Sequence, residues 1–122
     1  MFELESNEAR LLLNIALMAI GRNRFQSAET ILAALERFRP GDVALASAWA
    51  VMLMSARDFA GAVEFIDRVG LVQHPDSAML QAFKGMAYLR MDRPDKAEEP
   101  LKLAASQTAD PAAAQLARDL LK

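Results

Sequence analysis

A pattern of small and apolar residues recurs three times along the chain, at a spacing of 34 to 35 residues. Each copy centres on one of three alanines: Ala28, Ala62 and Ala97. Twelve positions before them stand three more small residues: Ala16, Ala50 and Gly85. Four positions after them stand three large aliphatic residues: Leu32, Ile66 and Leu101. A repeat of this length predicts pairs of short helices, with the small residues where the two helices of a pair approach each other.

Composition predicts that these repeats are helical. The 122-residue chain holds 24 alanines and 17 leucines, whereas valine, isoleucine and threonine together number 11. Strong helix formers therefore dominate, and the β-branched residues that favour strands are scarce. The length is that of one compact domain, so we expect a single all-α domain over residues 1–122.

Apolar periodicity and helix-stop residues predict seven helices. Their approximate bounds are 7–22, 25–38, 43–56, 59–70, 76–91, 94–107 and 111–121. Asp42, Asp58 and Asp110 are suited to cap three of the helix starts. Gly70 is interpreted as a helix end. Pro100 lies inside the sixth predicted helix, where a proline should kink the helix or shift its start.

The period resembles that of the tetratricopeptide repeat. The third unit is the best match, with Gly85, Tyr88, Ala97 and the closing Pro111 in register with the family pattern. The resemblance implies a right-handed solenoid of about three helix pairs plus a C-terminal capping helix. The units would cover residues 9–42, 43–77 and 78–111, and the capping helix residues 111–121.

In that architecture the first helix of each pair lines a concave groove, which here is almost entirely apolar. The predicted partner-binding residues are Leu13, Leu17, Ile20, Val51, Met54, Met79, Met86 and Leu89. Many peptide-binding members of the family carry Lys, Arg and Asn on this face to hold a free C-terminus, and the apolar residues disfavour that mode. The groove instead suits an amphipathic helix, to which methionine adapts readily. Burial of these residues in a plain helical core is the alternative.

The sequence offers no recognisable catalytic, metal or cofactor site. It contains no Cys and a single histidine, His74, which excludes disulfides, thiolate chemistry and a His-cluster metal site. We expect His74, which precedes Pro75, to be an exposed turn residue, and Asp95, Glu98 and Glu99 to form a solvated helix face. The net charge of −2 gives no electrostatic footprint for nucleic acid. We therefore predict a non-enzymatic protein with no cofactor.

Two further features bear on localisation. The longest uncharged stretch, Val43–Ala56, has 14 residues, fewer than the ~18 needed to cross a bilayer. The first residues, Met1–Glu5, are acidic and lack the basic region of a secretory signal. We expect a cytoplasmic protein without a membrane span.

The whole chain resembles the small tetratricopeptide chaperones that hold needle subunits in bacterial type III secretion. The similarity lies in segments 11–21, 26–32, 58–62 and 88–90, and segment 31–40 is similar to related Hrp-type secretion proteins. The resemblance implies that the groove holds the C-terminal amphipathic helix of a secreted subunit and keeps it from polymerising. It also implies a second small helical protein, a co-chaperone, on the first two helices. The alternative is a generic repeat scaffold, or a homodimer that pairs its apolar face.

Overall fold

The computed structural model describes residues 6–122, and these residues form seven helices joined by short turns, with no strand. The helices are α1 (Ser6–Gly21), α2 (Phe25–Phe38), α3 (Val43–Ser55), α4, α5 (Ala78–Arg90), α6 (Pro94–Ala105) and α7 (Pro111–Leu121). Helix α4 is α-helical over Phe59–Phe65, a π-helix over Ile66–Gly70 and α-helical again over Leu71–Gln73. The predicted all-α class is confirmed for this part of the chain. Met1–Glu5, which we expected to lack a secretory signal, lie outside the described residues.

Side-chain hydrogen bonds fix several of the predicted helix starts. Asp42, Asp58 and Asp110 each accept a hydrogen bond from a backbone N–H of the following first turn, at 2.8, 2.9 and 3.1 Å. Such bonds satisfy N–H groups that have no partner within the helix. The hydroxyl of Ser77 accepts from the N–H of Leu80 at 3.2 Å, a cap that the sequence analysis did not identify.

The same turn geometry joins α1 to α2, α3 to α4 and α5 to α6. The central residue of each turn has a left-handed backbone: Asn23, Arg57 and Asp92, with φ of 61°, 64° and 59°. The N–H of the next residue donates to the carbonyl five positions earlier, at 2.8 to 2.9 Å. This bond closes the last turn of the preceding helix, and so short a turn brings the next helix back against it. The turns therefore repeat at the same 34- to 35-residue spacing as the sequence pattern.

Helix contacts follow the order of the chain. Each helix packs on the next one, and each odd-numbered helix also packs on the following odd-numbered helix. No other pair of helices within residues 6–122 shares more than a marginal contact. The six small residues of the repeat are all buried, as predicted: Ala16, Ala28, Ala50, Ala62, Gly85 and Ala97.

Gly70 is not a helix end, and on this point the sequence interpretation was wrong. Helix α4 continues to Gln73, and the Gly70 backbone is helical, with φ of −59° and ψ of −56°. An added Cβ at Gly70 would lie 3.0 Å from Cδ1 of Leu80 on α5. The absence of a side chain therefore permits the close approach of α4 and α5, and no left-handed turn requires it.

Pro100 does not shift the start of α6, which runs without a break from Pro94 to Ala105. Because proline has no N–H, the carbonyl of Lys96 lacks its usual helical hydrogen bond. The ring of Pro100 is buried, so its apolar packing offsets part of that cost.

Replacing Pro100 with alanine is expected to raise the free energy of unfolding by about 2 kcal/mol, measured by urea denaturation followed by circular dichroism. The change restores the hydrogen bond to Lys96 and loses a small buried ring surface. The matched control is Pro111→Ala, because a proline in the first turn of a helix removes no hydrogen bond, and its effect should stay within about 0.5 kcal/mol. A lower stability of Pro100→Ala would mean that the packing of the ring outweighs the missing bond.

Candidate partner-binding clefts

An apolar cleft of about 340 Å³ lies between α3, the start of α4 and α5, and we call it the α3–α5 cleft. Its lining residues are Val51, Met54, Ser55, Phe59, Phe83, Met86 and Arg90. Five of these seven are large apolar side chains, and all five are half-buried. Each therefore rests on the protein while keeping part of its surface open to a ligand.

Helical spacing explains why these side chains meet. Val51 and Met54 are three residues apart on α3, and Phe83 and Met86 are three apart on α5, so each pair lies on one face of its helix. The core contact between the two helices lies next to the cleft, around the fully buried Leu80, and Phe83 packs against that core as well as lining the cleft. The cleft thus lies at the solvent-exposed edge of the contact between α3 and α5.

Arg90 is the only charged residue that lines the α3–α5 cleft. Its guanidinium carbon lies 5.6 Å from the centre of the Phe59 ring, within cation–π range. The side chain is exposed, and no acidic residue in the described part of the chain forms an ion pair with it. The rim of the cleft therefore carries an unneutralised positive charge.

A second cleft, of about 270 Å³, lies between α1, the end of α2 and the start of α3, and we call it the α1–α3 cleft. Its lining residues are Ala9, Arg10, Leu13, Leu35, Arg39, Asp42, Ala44 and Leu45. Arg39 and Asp42 form an ion pair there, with a nitrogen–oxygen distance of 3.9 Å. Ala44 precedes Val51 by seven residues, or about two helical turns, so both clefts open on the same face of α3.

The structure brings half of the predicted groove residues to these clefts. Val51, Met54 and Met86 line the α3–α5 cleft, and Leu13 lines the α1–α3 cleft. Leu17 is 40% exposed on α1 and lines neither cleft. Its exposure leaves it open to a partner that extends beyond the two clefts.

The other three predicted groove residues pack into the interior. Ile20 is 3% exposed within the cluster formed by α1, α2 and α3. Met79 and Leu89 are half-buried against the cluster formed by α5, α6 and α7. Helical spacing groups residues on a face of a helix, but it does not determine whether that face meets solvent or a neighbouring helix.

Sequence reasoning missed Phe59 and Phe83 as cleft residues. On α5 it named Met79, Met86 and Leu89, and it passed over Phe83, whose neighbour Ala82 is fully buried against α6 and α7. A shift of one residue rotates a helical position by about 100°, so the neighbouring Phe83 lies on the cleft side. The spacing of Phe83 and Met86 by three residues was the signal that marks this face.

His74 is not the exposed turn residue that the sequence analysis expected. It is half-buried directly after α4, and its Nε2 atom is buried without a hydrogen-bond partner among the described residues. It borders a third cleft of about 430 Å³ together with Asp76, Ser77 and Asp110. The expectation was wrong because α4 runs past Gly70 to Gln73 and carries His74 into the junction with α5.

The predicted solvated acidic face is confirmed, because Asp95, Glu98 and Glu99 are all exposed on α6. A hydrogen bond from Lys102 lowers the pKa of Glu98 below its ordinary value. A hydrogen bond from Arg93 lowers the pKa of Asp95 in the same way. These carboxylates pair with bases on their own helix or at its start, and none lines either of the two apolar clefts.

Neither the protein-family models nor the curated protein sequences give a match to this chain. Within residues 6–122, no group of three or more His, Cys, Asp or Glu side chains is placed to hold a metal ion. None of the helices described above combines the length and the apolar character needed to cross a bilayer. The candidate functional site therefore rests on the shape and chemistry of the apolar α3–α5 cleft and of the α1–α3 cleft, which also holds an ion pair.

Proposed function

We propose that this protein is a non-enzymatic, cytoplasmic chaperone of the tetratricopeptide type that holds an amphipathic helix of a secreted, needle-like subunit. The observation that carries the proposal is the α3–α5 cleft, in which large apolar side chains from facing helices stay half-open to water. Apolar surface of this kind is unfavourable in water, and a ligand helix that covers it removes that cost.

The repeated turns and the order of helix contacts support the architecture that this function needs. Three left-handed turns at a spacing of 34 to 35 residues, with packing between successive helices, are what a right-handed solenoid of about three pairs would have. In such a solenoid α7 serves as the capping helix, and α1, α3 and α5 form the inner layer. The two clefts on one face of α3 would then belong to a single groove.

The lining residues indicate what kind of helix the groove holds. Val51, Phe83 and Met86 require apolar side chains at every third or fourth position of the ligand. Methionine side chains adjust to ligands of varied shape, which suits a groove that binds a helix along its length. Arg90 at the rim favours an acidic residue at the corresponding end of the ligand helix.

Met86→Glu is expected to weaken capture of the ligand helix at least about 30-fold, because it places a carboxylate in an apolar contact that loses water on binding. The probes are small helical proteins encoded beside this chain, co-expressed and co-purified with it, with binding measured by titration calorimetry. The ability of the chain to suppress their polymerisation gives a second readout.

The matched control is Leu103→Glu, which makes the same kind of change at a 46% exposed leucine of α6 that lines neither apolar cleft. It should bind the ligand like the wild type. Equal binding by Met86→Glu and the wild type would contradict the groove. If the groove instead paired two copies of this chain, Met86→Glu would dissociate a dimer that the wild type forms alone.

A further inference from the structure

An apolar stripe runs along the outer side of α1, and we call its three residues the α1 stripe. Leu11, Ile15 and Met18 are 60%, 42% and 59% exposed. They are four and three residues apart, so they lie in one line along the helix. The opposite side of α1 faces the core through Ala9, Ala16 and Ile20, which are at most 7% exposed. No described helix packs over the stripe, and none of its residues lines the three clefts described above.

Two opposite charges flank the α1 stripe symmetrically. Glu8 lies seven residues before Ile15, and Arg22 lies seven residues after it. Both are exposed, and neither forms an ion pair with another residue in the described part of the chain. Spacings of seven residues correspond to about two helical turns. Arg22 directly follows α1, and its N–H still donates to the carbonyl of Met18 at 3.2 Å, so both charges lie near the line of the stripe.

We propose that the α1 stripe binds a second copy of this chain, with the two α1 helices antiparallel about a two-fold axis at Ile15. A two-fold interface must be self-complementary. The antiparallel arrangement places Leu11 of one copy beside Met18 of the other, and it places Glu8 beside Arg22 twice. A parallel arrangement would instead bring the two Glu8 side chains together at one end and the two Arg22 side chains together at the other, which costs affinity.

The size of the stripe sets the strength of this dimer. Helix α1 has 16 residues, and a helix of that length is about 24 Å long. A single helix pair of this length buries less than a standard interface of about 1,600 Å². We expect a dissociation constant of about 10 to 100 µM, so the dimer forms at high protein concentration and separates on dilution.

Sedimentation velocity over about 1 to 300 µM, with charge-reversal variants, tests the proposal. Glu8→Arg and Arg22→Glu should each weaken self-association at least about 10-fold, because each puts like charges side by side. The double variant should recover it. A mixture of the two single variants should associate as well as the wild type, since both of its charge pairs are then opposite. Ile15→Glu should be monomeric throughout, and circular dichroism should show that all variants keep their helices.

Any one of three results would overturn the proposal. The first is a wild-type chain that stays monomeric up to 300 µM, as expected where the stripe binds only a different protein, such as a helical co-chaperone. The second is failure of the double variant and the mixture to recover association. The third is dissociation of the dimer by the exposed control Leu103→Glu as strongly as by Ile15→Glu. This interface is independent of the proposed groove, because Met86→Glu should leave the dimer intact and Ile15→Glu should leave capture of the ligand helix intact.

Discussion

Replacing Leu80 with alanine is expected to lower the free energy of unfolding by about 3 kcal/mol. Leu80 is fully buried, and it packs with Ala46, Ala50 and Ile66 where α3, α4 and α5 meet. Two of these neighbours are alanines, and Gly70 lies against the leucine methyl groups, so filling the cavity requires movement of Ile66 or of the half-buried Phe65, Leu71 and Phe83. Urea denaturation followed by circular dichroism would measure the loss.

Leu103→Ala is the matched control for this change. Leu103 is 46% exposed, so the same substitution there should change the free energy of unfolding by no more than about 0.5 kcal/mol. A loss below about 1 kcal/mol at Leu80 would contradict the tight junction between α3, α4 and α5. Because that junction sets the distance between the walls of the α3–α5 cleft, we also expect the folded Leu80→Ala protein to bind its ligand helix less tightly.

Gly85→Val is expected to cost about 3 kcal/mol, because α5 and α6 are too close at this point for a side chain. A Cβ at Gly85 would overlap the side chain of Leu101, which is itself 1% exposed. Leu101 lies in a cluster of buried alanines from α5, α6 and α7, so it cannot move aside without displacing a helix. The gain from replacing glycine inside a helix is under about 1 kcal/mol and does not compensate.

The same substitution at Gly21 provides the control for Gly85→Val. Gly21 ends α1, is exposed, and would have no atom within 4 Å of an added Cβ. Gly21→Val should therefore leave the midpoint of thermal unfolding nearly unchanged, while Gly85→Val lowers it clearly in the same calorimetric scan. Similar effects at both positions would show that loss of glycine flexibility, and not close packing between α5 and α6, causes the loss of stability.

The helices were predictable because their signals are local. Proline and aspartate mark helix starts within one turn, and Asp58 and Asp110 cap helices at the expected positions. The small residues of the repeat were predictable because their spacing is regular. The end of α4 was not predictable from the sequence. Gly70 permits close packing against Leu80 on α5, and Leu80 lies ten residues further along the chain.

The candidate site was predictable in part. Apolar spacing identified Val51, Met54 and Met86 correctly as neighbours on facing helices, because a helix face follows from sequence alone. Apolar spacing also assigned the buried Ile20 to the groove, because spacing does not show where the next helix packs and therefore which residues become buried. The α1 stripe was not predicted for a related reason. Helix α1 carries apolar residues on nearly all sides, and only the packed structure shows which side is left uncovered.

The buried residues of the described helices form four adjoining clusters, which half-buried aromatic residues such as Tyr88 connect. The described contacts join helices that are neighbours or next neighbours in the chain, and helical proteins built from such local contacts fold faster than proteins built from distant strand pairings. Because each terminal helix packs only on the next two helices of the chain, the terminal helices are expected to open while the middle of the chain stays folded. A ligand helix lying across both clefts would join separate clusters and make them unfold as one unit.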